Sequence, residues 1–237
     1  MKIAINMLAA QARFSGATAL KGLNLAALVL LTACSALQPA QRPLVYDFGP
    51  GVVQASATST SSATSGTTVA QDLPALTLGE VDAPAALDTP AVAYRLAYSD
   101  AQQLRPYALA RWSMAPNQLL RQRLRETLGQ RRAVLDPAQG VLGPTGTLTL
   151  RLELQEFSQV FTTPQESAGV VRVRATLSQP GATGERLVAQ TNFVMRRASA
   201  SADAAGGVRA LTQATDALVQ DVEVWLQRYS GDPRSTP

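Results

Sequence analysis

Between Leu148 and Met195 apolar and polar residues alternate in three successive runs, and nothing else in the chain restricts the fold as much. Leu148, Leu150, Leu152 and Leu154 stand against Arg151, Glu153 and Gln155; Val171, Val173, Ala175 and Leu177 stand against Arg172 and Arg174. Leu187, Ala189, Thr191, Phe193 and Met195 make the third run. A period of two places each apolar set on one face of a strand. Polar segments at 162–169 and 179–184 join the runs, which reads as an antiparallel meander with one buried face. A helix from about Asp203 to Tyr229 is available to cover that face. Val208, Leu211, Leu218, Val222, Trp225, Leu226 and Tyr229 form its apolar stripe, and Gly206-Gly207 weaken its first turn. The expected fold is a two-layer α+β domain, a largely antiparallel sheet packed against two helices, the second long and C-terminal.

The first half fits the same plan. Leu44 to Phe48 has strand content and is closed by Gly49-Pro50-Gly51. Leu73 to Val81 is a weaker strand, interrupted by Pro74 and Gly79. Ala91 to Tyr98 sets Val92, Tyr94, Leu96 and Tyr98 on one face and Arg95 on the other, and Tyr107 to Trp112 follows closely enough for a hairpin or a neighbouring strand. Pro116 suits a first helical position, and Leu120, Leu124 and Leu128 mark a helix over Asn117–Leu128. From Ser56 to Thr68 ten of thirteen residues are Ser or Thr. Such a tract buries nothing, so residues 54–71 are expected to be a disordered loop. The domain proper is expected at 44–230, with a disordered tail at 231–237.

The chain contains no histidine and one cysteine, Cys34. This excludes histidine-based acid–base chemistry, histidine-ligated metals, an internal disulfide and cysteine clusters. Residues 1–33 carry three cations (Lys2, Arg13, Lys21) and no acid, followed by the apolar run Leu23–Leu31. That run is too short to span a bilayer, which needs roughly 20 residues, but it suits a secretory signal. It ends in Leu31-Thr32-Ala33-Cys34, which resembles the bacterial lipobox. Leu31, Thr32, Ala33 and Cys34 would be recognised by the lipoprotein signal peptidase, and the Cys34 thiol would take the lipid. Residues 34–43 then form an acylated tether, and Ser35, rather than aspartate, suggests outer-membrane sorting. Beyond residue 33 there remain 18 arginines against 17 acids, so no strong cationic footprint for nucleic acid survives.

No phosphate loop, no dinucleotide fingerprint and no nucleophile elbow occurs, and Gly140, Gly143 and Gly146 read as turn residues. The pairs Glu153/Glu156 and Asp221/Glu223 are read as solvated charges rather than an acid–base couple. Arg121, Arg123, Arg125, Arg131 and Arg132 around the first helix are read as its solvated face, with lipid phosphates or an acidic partner as the alternative. Trp112 and Trp225 are read as core anchors. No catalytic residue, metal or cofactor is expected.

An ordered set of short motifs carries a family resemblance. It comprises the lipobox, Tyr46 within Leu44–Pro50, Tyr94-Arg95 and Tyr98, Pro106-Tyr107-Ala108 with Arg111-Trp112 and Pro116, Glu153 and Phe157, and a closing helix with Trp225-Leu226. In these the chain is similar to the ABC-type transport auxiliary lipoproteins, the family that includes the lipoprotein of the paraquat-inducible (Pqi) system. The resemblance implies a non-enzymatic lipoprotein on the periplasmic face of the outer membrane. It would serve an inner-membrane ABC permease and ATPase by docking onto a periplasm-spanning protein of the MCE (mammalian cell entry) type. An envelope lipoprotein that regulates a peptidoglycan synthase is the competing reading, and self-association stays open beside a monomer.

Overall fold

The computed structural model describes residues 41–50, 73–140, 143–181 and 183–230. The proposed signal segment, the lipobox with Cys34, nearly all of the tether, the Ser/Thr tract and the C-terminal tail lie outside these residues. Eight strands form one mixed sheet: β1 (Leu44–Tyr46), β2 (Leu76–Asp82), β3 (Ala91–Leu96), β4 (Asp100–Trp112), β5 (Val134–Leu135), β6 (Leu148–Phe161), β7 (Ser167–Gly181) and β8 (Gly184–Ala198). Among the described residues two α-helices, α1 (Pro116–Leu128) and α2 (Ala204–Gln227), accompany it. Among the described residues no helix is long and apolar enough to cross a membrane.

The meander is present, with β6–β7 and β7–β8 antiparallel along nearly their whole length. Leu150, Leu152, Leu154, Val171, Val173, Ala175 and Leu177 are essentially inaccessible. They meet Leu211, Leu218, Val222 and Leu226 of α2 in the core between sheet and helix. A bulge in β6 between Leu154 and Glu156 moves the core face from even to odd positions, so Phe157 continues the face that Leu154 leaves. A second irregularity lies between β7 and β8, where Leu177 pairs with Ala189 but Ser178 pairs with Leu187. The extra residue, Val188, takes the inward place, and Leu187 is 60 % exposed rather than part of the apolar face.

Much of the remaining sheet is parallel. β6 accepts β2 alongside its first half and β3 alongside its second, both parallel. β4 pairs antiparallel with β3 as a hairpin, and β1 lies parallel to the last residues of β4. The β3–β4 ladder shifts register twice, so Ala93 as well as Val92 is buried, and the strand ends at Leu96 with Tyr98 exposed in the turn.

Helix α1 opens with Pro116 at its first position and buries Leu119, Leu120, Leu124 and Leu128. It touches β2 on one side and α2 on the other. Helix α2 is capped by Asp203, whose Oδ1 accepts the Gly206 N–H at 2.7 Å. That bond, then Ser201, holds the Asp203 carboxyl below its ordinary pKa. A depressed carboxylate pKa stabilises the fold above the unfolded-state value, and the gain is lost as pH falls through the folded-state value. Asp203→Ala is therefore expected to remove about 1 kcal/mol near neutrality. The difference from the parent protein should shrink in denaturation curves taken at acid pH, as the carboxylate is protonated.

The two glycines of α2 are not a defect of the helix. A Cβ at Gly206 would collide with the Ser201 carbonyl oxygen, and one at Gly207 with the Gln159 amide. Their absence lets the first turn of α2 sit directly on β6 and on the chain that leads into the helix.

Candidate functional site

The motif residues gather into three clusters rather than one site. In the first, Phe48, Trp112 and Phe157 meet with ring centroids 5.5–6.0 Å apart. Trp112 and Phe157 are buried, so β4 and β6 are joined here to the segment after β1. The Arg123 guanidinium stands 5.9 Å from the Phe48 ring centroid and donates to the Phe48 carbonyl oxygen at 2.5 Å. Its Nε faces Asp216 of α2 at 3.4 Å. Burial raises the Asp216 carboxyl above its ordinary pKa in spite of that guanidinium. A cavity of about 250 Å³ beside this cluster is lined by Asp47, Met114, Arg123 and Glu126 among others.

In the second cluster the Tyr94 and Tyr107 rings lie 4.6 Å apart, with Phe161 edge-on to Tyr94 at 6.1 Å. The Tyr107 hydroxyl donates to Gln159 Oε1 at 2.7 Å, and Gln159 Nε2 donates to Ser167 Oγ at 2.7 Å. Burial, with the neighbouring Tyr94 and Asp203, pushes the Tyr107 hydroxyl far above its usual pKa. It stays a protonated donor through the physiological range. Beside it a groove of about 270 Å³ is lined by Leu44, Tyr46, Tyr107, Leu109, Asp203 and Ala204 together with Ala110 and Ala205. Arg95 holds Glu156 through two contacts of 3.2 Å and donates to the Gln102 carbonyl at 3.0 Å. Arg111 is exposed, opposite Val45 in the β1–β4 ladder. The third cluster is Trp225, edge-on to Phe193 and Tyr229 at 6.0 and 5.5 Å.

The arginines of the first helix are largely not a solvated face, and this corrects the expectation. Arg123 and Arg132 are only 5 % and 3 % exposed. Arg132 Nη2 meets Glu223 Oε1 at 3.0 Å, so Glu223 is a buried partner rather than a surface charge. Arg121 and Arg125 converge on Asp136 at 3.1 and 2.6 Å. The Ala138 N–H and these two guanidiniums hold the Asp136 carboxyl below its ordinary value. Buried cations need such partners, since an isolated one is driven out of an apolar interior. Glu153 pairs with Arg174 at 3.1 Å across the β6–β7 ladder.

The described residues contain no group of three or more acidic or cysteine side chains placed to hold a metal. Sequence reasoning did not single out Gln159, Gly169 or Asp216. Gln159 carried a usable signal: it stands between Phe157 and Phe161 on the odd face, where a polar residue must find partners inside.

The family described as the ABC-type transport auxiliary lipoprotein component matches residues 54–223. A search of curated proteins gives no match for this chain. Among solved structures, the chain is similar to protein XCC0632 from Xanthomonas campestris, of the DUF330 family, at 18% identity and a TM-score of 0.59. That alignment covers 80% of this chain and 100% of the other. An uncharacterized protein aligns at 18% identity and a TM-score of 0.52, over 66% of this chain and 95% of its own. At these identities the likeness shows the fold. The match over residues 54–223 goes further: this chain belongs to the ABC-type transport auxiliary lipoprotein family.

Proposed function

We infer that the protein is an outer-membrane lipoprotein, acylated at Cys34, that acts as a non-catalytic auxiliary component of an MCE-type ABC transporter moving lipids across the cell envelope. The observation that carries this reading is family membership over most of the folded body. The folded domain docks onto the periplasm-spanning MCE protein, which works with an inner-membrane permease and ATPase.

Cross-linking in intact cells, followed by affinity purification of a C-terminally tagged chain and mass spectrometry, tests the docking. Recovery of an MCE protein with its permease is expected. Recovery of a peptidoglycan synthase instead, or of nothing above background, would overturn it. The anchor is tested separately. Cys34→Ser removes the thiol that takes the lipid, and the chain is expected to move from the membrane to the soluble fraction, since acyl chains contribute about 0.8 kcal/mol per buried CH₂.

A further inference from the structure

The geometry points to the open edge of β8 as an interface with a second copy of this chain, formed by antiparallel pairing of the two β8 strands about a two-fold axis at Thr191. Among the described residues β8 pairs with β7 alone. Its outer edge therefore presents backbone N–H and C=O groups along a strand of 15 residues. Sheets blunt such an edge with proline, with charge or with a cover. From Val188 to Met195 β8 carries neither proline nor charge. Leu187 and Val194 pair with Ser178 and Arg172 on the side of the sheet away from the core, and they are 60 % and 56 % exposed.

The order of side chains along β8 selects a second copy as the occupant. Opposite the even positions of β7, the outer face of β8 reads Glu185, Leu187, Gln190, Asn192, Val194 and Arg196, the step from 187 to 190 being the bulge at Val188. An antiparallel pair sets residues of one face directly opposite each other. With Thr191 opposite Thr191, Glu185 meets Arg196, Leu187 meets Val194 and Gln190 meets Asn192, each twice by symmetry. On the inner face Phe193 falls opposite the small Ala189. Opposite charges and apolar partners facing each other stabilise a ladder, and like charges weaken it. Sliding the register by two residues one way sets Arg196 against Leu187 and Val194 against Gln190. Sliding it the other way sets Glu185 against Val194 and Leu187 against Asn192. Parallel pairing in register sets Glu185 on Glu185 and Arg196 on Arg196. One register alone thus matches charge to charge and apolar to apolar, and it matches the strand to itself. No ion pair among the described residues engages Arg196. Glu185 is held at 2.9 Å by Arg151, yet its side chain stays 40% exposed and open to a second cation.

The test uses the full chain, first in intact cells. Thr191→Cys lies on the axis and is expected to give a disulfide-linked dimer on mild oxidation. Opposite strand residues place their Cα atoms about 4.5–5.5 Å apart, within the span of about 4.4–6.8 Å that a disulfide bridges. Gln118→Cys, exposed on α1, and the parent chain are the references, and neither is expected to exceed background. Sedimentation of the full chain in an excess of detergent micelles reads the register. Glu185→Arg and Arg196→Glu each bring like charges together twice, and each is expected to weaken dimerisation about ten-fold or more. Mixing the two variants restores two opposite pairs, and a mixed dimer within about three-fold of the parent strength is expected. Thr191→Cys changes little in shape and decides the pairing by itself if either charge variant fails to fold. Cross-linking at 191 no greater than at 118, capture of a different chain there in place of a second copy, or a mixture of folded variants no stronger than either alone would overturn the inference.

Discussion

Glu223→Ala is expected to lower the free energy of unfolding by roughly 3–5 kcal/mol, the range found when one partner of a buried ion pair is removed. The Arg132 side chain is only 2% exposed and its Nη2 lies 3.0 Å from Glu223 Oε1. Without the carboxylate, a guanidinium is left inside the core with Arg131 as a second cation nearby, 3.9 Å from the same oxygen. Glu223→Gln keeps the shape and one acceptor and is expected to lose less, about 1–3 kcal/mol. The double change Arg132→Met with Glu223→Leu is expected to recover most of the loss, because well-packed apolar groups often replace a buried pair at little cost. Urea denaturation of the four proteins is the measurement. A loss below about 1 kcal/mol for Glu223→Ala would mean that water reaches the pair.

Gly169→Ala is expected to destabilise by about 1–3 kcal/mol, and Gly169→Val by more. A Cβ at Gly169 would lie 2.6 Å from the Ala210 carbonyl carbon and the Leu211 nitrogen, both in the backbone of α2. A backbone cannot rotate away as a side chain can, so the helix must lift off β7. Gly79→Ala makes the contrast. There the new Cβ would meet the flexible Arg151 Cγ at 3.2 Å, and a change within about 0.5 kcal/mol is expected. Adding Ala210→Gly to Gly169→Ala relieves only the 3.0 Å contact with the Ala210 Cβ, so little stability should return. Full recovery in that double variant would refute the account.

The long alternating runs and the C-terminal apolar stripe made the meander and its covering helix legible from sequence. They report burial on one face directly. The β3–β4 hairpin was legible for a similar reason, since its partners are close in the chain. The parallel placement of β2 and β3 on one edge of β6 was not, because nothing local records which distant strand a strand will meet. Leu187 was misplaced by a one-residue bulge, which turns the residues before Val188 to the other face while Ala189, Phe193 and Met195 keep theirs. The change from even Leu154 to odd Phe157 shows that such a shift can leave a trace in the sequence. The arginines around α1 were misread for a different reason. Charge type alone does not distinguish solvated from buried, and the deciding partners, Glu223 and Asp216, lie about 90 residues away on another helix. The family motif was legible as a set, yet its members fall in separate clusters, which is expected when shared residues maintain a shape.

β6 borders β7 along one edge and both β2 and β3 along the other. In time, this means that β2 and β3 are made early but cannot join the sheet until residues 148–161 exist. The β3–β4 hairpin is the one extended pairing of the early strands that closes over a short stretch of chain. Pairing at such separation slows folding, because loop closure precedes any gain from the contact. A chain stopped before Leu148 would hold the β2–β5 pair and the β3–β4 hairpin with no strand to join them, and Leu76, Leu78 and Val92 would present apolar surface to any binder of unfolded segments. The early strands become part of one sheet only with the arrival of β6.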